Sequence, residues 1–444
     1  MLPKLKVVMC ILIALIMGSL IFTGCRGQAG DDRITLNVFY YLEATAPNAV
    51  TDANNWFDTF QTNHPNVRIE RENLFSEAFH DKLRSYAAAG SLPDVMYVWP
   101  SGRSDYLHDQ RLLKDLTPFI NRDGIRGLYL PLTMDPSQQQ AGYMAMIPQG
   151  ITTTHAFFTN MEVLNAAGLQ PARTYAELVA QVPILRARGY ETVLIPAKDD
   201  WVMQSCLFSM IAGRFCGAGW ETKIHSGQAK FTDSDFVAAL DFVRRLYADG
   251  VINREAVGVE YGEGPGMFAN NRGAYYIDGD WRVGAFVTDS STGEALISPA
   301  RQNNIRVGVF PDIEGARINS SSSVILGVGY AMSAAIPSGS AKEDAAWELI
   351  KWMTGKEVSE RRTETGGTPT PSRTDLNFAA MALEPLQRAL GALGNEFATA
   401  TCVIDGVFPS EVYNPINTGL IEIALGNRTP QQVAADVQRA FDAQ

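Results

Sequence analysis

The chain has 444 residues, 46% hydrophobic and 19% charged, with 38 glycines and 22 prolines, an ordinary globular composition that excludes disordered, collagen-like and fibrous classes. At roughly 150 residues per domain it holds about three domain-equivalents, so its core needs neither metal nor disulfide staples. A formal charge of −11, from 48 acidic against 37 basic residues with no sustained Lys/Arg run, argues against a phosphate-backbone partner, and no nucleic acid is expected.

Lys4 and Lys6 precede an unbroken apolar stretch, residues 7–22, followed by Thr23, Gly24 and Cys25. A basic start, a short apolar run and small residues are the layout of a signal peptide, here residues 1–24, and the run is short for a membrane span of about 20 residues. Residues 25–33 are polar and read as a tether. The ending Phe22-Thr23-Gly24-Cys25 resembles a bacterial lipobox, which implies lipidation of Cys25 and an extracytoplasmic protein, lipid-anchored on the outer face of the cell membrane or in the periplasm. Downstream of Cys25 no window reaches 18 continuous apolar residues.

Residues 35–41 read as a buried strand, and a helix near 50–63 places Trp56, Phe57 and Phe60 on one face. Residues 67–70 alternate like a strand, and Phe79, Leu83 and Tyr86 repeat at helical spacing. Gly90 stops that helix before a third strand at 95–99. This βαβαβ order predicts a parallel sheet between helices, which holds ligands beyond the carboxyl ends of its strands. The rule selects Tyr41 and Glu43 after the first strand, Glu72 and Asn73 after the second, and Trp99 and Ser101 after the third. Aromatics, carboxylates and an amide suit a sugar, whose ring faces stack while its hydroxyls need donors and acceptors. A second reading stands beside it, that Tyr41 and Trp99 are core aromatics at strand ends.

Beyond residue 146 the alternation resumes. Residues 156–158 read as a strand, 161–167 as a helix closed by Gly168, and Thr174 with Glu177 as a capping box. After a short strand at 193–196, Asp199 and Asp200 are expected to cap a helix that puts Trp201 at its mouth. Gly262-Glu263-Gly264-Pro265-Gly266 reads as a turn. Residues 274–277 read as a strand, so Asp280 and Trp281 hang from its carboxyl end; further strands are expected at 307–310 and 323–332, and a helix at 345–353. With no internal repeat and no long linker, two lobes with interwoven chain fit better than tandem domains.

Cys206, Cys216 and Cys402 form no CxxC pair, the five histidines are scattered, and HExxH, GxSxG and Walker A sequences are lacking. No metal, cofactor or catalytic residue is therefore expected. A Cys206–Cys216 disulfide is allowed by the compartment, but the pattern favours buried thiols.

Several segments fall in one register: residues 56–60 through His64-Pro65; Ala89-Gly90-Ser91-Leu92-Pro93-Asp94-Val95; Ile147-Pro148 leading to Phe158-Thr159-Asn160; and Ala167-Gly168-Leu169 leading to 174–178. Met267-Phe268 through Gly279-Asp280-Trp281, residues 345–350 and Gly366-Gly367-Thr368-Pro369-Thr370-Pro371 complete the series. Together they resemble family 1 extracellular solute-binding proteins, the maltose-binding-protein-like receptors of bacterial ABC sugar importers.

The resemblance implies an α/β, two-lobed periplasmic-binding-protein-like type II fold, each lobe a mostly parallel sheet flanked by helices, with interwoven hinge crossings near 149, 320 and 366. Lobe 1 would comprise residues 34–148 plus 321–365, and lobe 2 residues 149–320 plus 366–444. It implies a ligand site of Tyr41, Glu43, Trp99, Thr153, Asp200, Trp201, Asp280, Trp281, Tyr330 and Tyr413, to which the strand-end rule adds Asn73. It implies a monomeric receptor, not an enzyme, that closes on a carbohydrate, an oligosaccharide, and passes it to the transmembrane subunits of an ABC permease while held at the membrane by its N-terminal lipid. Two alternatives remain open: the same fold holding a polyamine or sugar phosphate, or a secreted carbohydrate-active enzyme pairing Glu43 with Asp200 or Asp280.

Overall fold

Parallel strands open the fold in the computed structural model, which describes residues 33–139 and 141–444; the segment read as a signal peptide, Cys25 and the tether before Arg33 lie outside the described residues. Strand Ile34–Tyr41 pairs in parallel with Val67–Leu74 on one side and with Val95–Val98 on the other. The five-stranded sheet continues through Gly329–Met332 to Met146–Pro148. Helices cover both faces, as a buried sheet of this kind requires. On one face Phe57 and Phe60 of helix Ala49–Asn63 meet Trp347 of helix Ala341–Met353; on the other, Phe79 and Leu83 of helix Glu77–Ala88 meet Phe39 and Met96.

A second sheet runs in the order Glu191–Leu194, Gly273–Asp278, Ala156–Asn160, Ile305–Gly308. Its core is separate from the first, built around Phe157, Tyr275 and Phe310 on one face and Phe158, Tyr276 and Phe286 on the other. The molecule is thus the two-lobed α/β fold the sequence led us to expect. In each lobe's sheet one strand runs against the rest: Gly329–Met332 is antiparallel to both neighbours in the first, and Ala156–Asn160 is antiparallel to both neighbours in the second. The cause is the interweaving, because a strand entering a lobe from the hinge runs opposite to strands that began inside it.

Between the lobes a third sheet orders Thr370–Pro371, Gly150–Thr153, Ser321–Leu326 and Thr399–Thr401. The single strand expected at 323–332 is therefore two strands in two sheets, broken at Gly327–Val328. Gly327 sits where two backbones cross, and a Cβ there would lie 2.8 Å from the Gly150 carbonyl oxygen, so the chain passes only because the side chain is missing.

Local signals resolve in ways that matter for the site. The Thr174 hydroxyl accepts from the Glu177 N–H, as a capping residue should. Asp199 does not cap the helix that follows; its carboxylate accepts instead from the Tyr261 N–H at 3.3 Å, tying two loops of the second lobe together. The glycine-rich 262–266 segment is a helix start rather than an open turn, with Pro265 in the first turn of Gly264–Ala269, where its missing N–H costs no hydrogen bond. Cys206, Cys216 and Cys402 are free thiols. No helix among the described residues is long and apolar enough to cross a membrane.

Candidate functional site

Gly329 lies opposite both Val98 and Pro148, so the carboxyl ends of Val95–Val98 and Met146–Pro148 share one edge of the first sheet with the end of Ile34–Tyr41. In the second sheet Ala156 lies opposite Asp278. These two edges face each other across a cavity of about 330 Å³.

The first-lobe wall is largely aromatic. Tyr41 and Trp99 meet edge-on with ring centroids 5.0 Å apart, and Tyr97 and His80 lie 5.2 and 4.6 Å from Trp99. Tyr41 and Trp99 pack against the core around Phe79 and also line the cavity. Burial drives the His80 imidazole well below its ordinary range, with Arg103 acting in the same direction, and leaves it a neutral ring. Glu43 brings a carboxylate to the same wall, its pKa raised by burial against the opposing pull of Arg282.

The second-lobe wall is organised by Asp278, which is fully buried at the end of its strand. It accepts from the Tyr276 hydroxyl at 2.6 Å, the Gly279 N–H at 2.8 Å, Arg282 Nε at 2.9 Å and the Tyr261 hydroxyl at 3.2 Å. Arg282 is thereby held over the Tyr261 ring, 3.9 Å from its centroid. Trp281 donates from Nε1 to the Tyr261 hydroxyl at 2.6 Å, and Trp201 stands 6.3 Å from Trp281 between ring centroids. Trp201 and Trp281 thus stand side by side at the wall with their rings tilted 37° to each other, and Trp281 is held from behind by a hydrogen-bonded chain through Tyr261 that ends on the buried Asp278 carboxylate.

Asp280, also buried, accepts from the Thr153 N–H at 2.8 Å. Burial pushes its pKa up to about 7, the N–H groups of Thr153 and Trp281 pulling the other way. Across the cavity, Arg282 Nη1 lies 3.6 Å from Glu43 Oε1, while Nη2, buried at the wall, has no hydrogen-bond partner among the described residues.

Tyr41, Glu43, Trp99, Trp201, Asp280 and Trp281 thus converge on one cavity. Thr153 takes part through its backbone, and its neighbours Thr152 and Thr154 line the wall. The other expected residues lie elsewhere. Asp200 sits with Glu77 and Asp199 on a polar groove beside the cavity. Asn73 is exposed on Val67–Leu74, the outermost strand of its sheet. Tyr330 is 1% exposed because its strand is sandwiched inside the sheet, and its hydroxyl accepts from Arg362 Nη2 at 2.9 Å. Tyr413 is buried on the core side of helix Ser410–Leu425.

Tyr261, Arg282, Arg103 and Gln149 line the cavity without having been read from the sequence. Arg282 could have been found by following the strand-end rule a few residues further, whereas Tyr261 comes from a loop with no periodic signal. Arg103, Arg282 and Arg362 all stand at the wall. Two of them are already paired, Arg103 with Glu77 and Asp405, and Arg282 with Asp278.

A model of the bacterial extracellular solute-binding protein family matches residues 42–360. The chain belongs to this family. No curated protein sequence matches this solute-binding protein. Among solved structures it is similar to a protein from work on xylan utilization by the thermophilic bacterium Caldanaerobius polysaccharolyticus, with a TM-score of 0.81 at 20% identity over 91% of this chain and 99% of that one. It is similar to a chitin oligosaccharide binding protein, with a TM-score of 0.80 at 18% identity over 93% and 99% of the two chains. Maltose-bound MalE3 of T. maritima gives a TM-score of 0.73 at 18% identity, covering 92% and 99%. At these identities the likeness establishes the fold.

Proposed function

We propose that this solute-binding protein captures an oligosaccharide between its lobes by hinge closure and delivers it to the transmembrane subunits of an ABC permease. The observation that carries the reading is the composition of one cavity. Trp99 from the first lobe and Trp201 with Trp281 from the second supply flat apolar faces, while Glu43, Asp280 and the unpartnered Arg282 Nη2 supply acceptors and a donor at their edges. Sugar rings are apolar on their faces and hydrogen-bonding around their rims, so this mixture matches them. Similar folds whose names carry chitin oligosaccharide or maltose support the same ligand class.

Closure follows from differential affinity: only the closed state touches the ligand from both walls, so the ligand draws the population toward it. The lobes in this reading are residues 34–148 with 321–365 and residues 149–320 with 366–444, the crossing strand Ser321–Leu326 lying in the shared sheet. The receptor acts as a monomer without a cofactor and makes or breaks no bond. Cys25 carries the lipid that holds it at the extracytoplasmic face of the membrane, two acyl chains being enough for stable anchoring.

Thermal unfolding of the purified chain against mono- and oligosaccharides, polyamines and sugar phosphates tests this. A ligand bound only by the folded state stabilises it by about 2.7 kcal/mol at 100 times its dissociation constant. An oligosaccharide that raises the midpoint and is recovered intact is the expected result. Cleavage of the sugar would make the chain an enzyme, and a shift by polyamines or sugar phosphates alone would overturn the ligand class.

A further inference from the structure

Asn48 opens helix Ala49–Asn63 in the left-handed conformation, with φ of 62°, which asparagine tolerates better than most residues with a side chain. An asparagine in this place ordinarily caps the helix, accepting from an N–H of the first turn. Here it makes no such cap. Its side chain crosses to the other lobe: Nδ2 donates to the Thr288 carbonyl at 3.0 Å, and Oδ1 accepts from the Ser290 N–H at 2.8 Å and the Ser290 hydroxyl at 2.6 Å. Its own N–H donates to the Asp289 carboxylate at 3.3 Å.

Both sides of this contact are built before they meet. On the second lobe, residues 288–294 lie between the strand that carries Asp278 and strand Ile305–Gly308. They fold on themselves through the Ser291 N–H to Asp289 bond at 2.7 Å, and the Thr288 N–H is tied to Glu384 at 2.9 Å. On the first lobe Arg361, from helix Lys356–Glu364, donates to Asp52 at 2.9 Å and to both Asn48 Oδ1 and Ser290 Oγ at 3.2 Å. Neither Asn48 nor residues 288–291 line the cavity, so a ligand there need not displace the contact.

We propose that Asn48 is a positioning residue for ligand capture, clasping the lobes together outside the cavity so that part of the ligand-free population is already closed. The inference rests on the receptor reading above and deepens it, because an already closed fraction raises the apparent affinity for whatever the cavity holds. The clasp makes no contact with the ligand, so it tunes affinity without choosing among ligands.

The test is small-angle scattering from the ligand-free chain, compared with Asn48→Gly, which keeps the left-handed backbone and removes the carboxamide, and with Ser290→Ala on the opposite lobe. Losing these hydrogen bonds should lower the closed-to-open ratio about tenfold. The expected result is a larger radius of gyration in both variants, with unfolding midpoints that show both still folded. Scattering identical to wild type in both variants, or a wild type already as expanded as they are, overturns the clasp. Because no ligand is present, the outcome is separable from the sugar reading: a glycan can bind while the clasp fails, and the variants can open even if no glycan binds.

Discussion

Glu43 of the first lobe and Arg282 of the second face each other at 3.6 Å across the cavity, and the two residues have different neighbours. Glu43 is partly solvent-exposed, whereas Arg282 is buried against Asp278 and the Tyr261 ring. Arg282→Met should therefore destabilise the fold by about 3–5 kcal/mol, because it leaves the buried Asp278 charge without its cation. Glu43→Gln should cost about 1 kcal/mol or less, since the pair is long and partly wet. Urea unfolding of both variants separates the two, and equal effects would contradict this account of the wall.

Trp281 is positioned by Gly279 as well as by Tyr261, for a Cβ built on Gly279 would collide with the indole ring. Trp281→Ala should weaken oligosaccharide binding by about 30-fold, the scale of a buried aromatic anchor. Gly279→Ala should weaken it in the same direction without removing any ligand-contacting atom. Titration calorimetry measures both, and tryptophan fluorescence should report the displaced ring in Gly279→Ala.

Asp280 titrates near 7 in the fold and near 3.8 in an unfolded chain. The folded state thus holds a proton that the unfolded state has released between about pH 4 and 7, and stability from this group falls as pH rises through that window. The full effect is on the order of 4 kcal/mol. Asp280→Asn, which mimics the protonated form, should lose this dependence. The difference in unfolding free energy between wild type and Asp280→Asn, followed from pH 4 to pH 8, should change in favour of the variant; a flat difference would mean the carboxyl is ionised throughout.

Tyr330 supports the fold rather than the ligand. Tyr330→Phe removes the acceptor for Arg362 Nη2 in a buried setting and should cost about 1–3 kcal/mol of stability. Oligosaccharide affinity measured below the unfolding transition should be unchanged, in contrast to Trp281→Ala.

Local patterns decided a good deal on their own. The period-two and helical spacings of residues 34–98 specify strand, helix, strand, helix, strand, because each element buries a stripe its own sequence lays out. The rule that ligands gather beyond carboxyl ends of such strands then picks Tyr41, Glu43, Trp99, Asp280 and Trp281, at or just past strand ends, but also Asn73, which lies inside a strand that runs on to Leu74 and away from the cavity. What the tertiary structure alone decided is everything that depends on which chain segments cross. Ser321–Leu326 and Gly329–Met332 look like one strand until Gly327 passes the Gly150 backbone. Tyr330 and Tyr413 look like site aromatics until the sheet and the last helices enclose them. Tyr261 and Asn48 acquire their roles only from partners 17 to 313 residues away in the chain, and Arg282 joins Asp278 beside it to Glu43 across the cavity. Periodicity reports the burial of a face, which is local. Convergence of polar groups across a cleft depends on long-range placement, and a single sequence leaves no periodic trace of it.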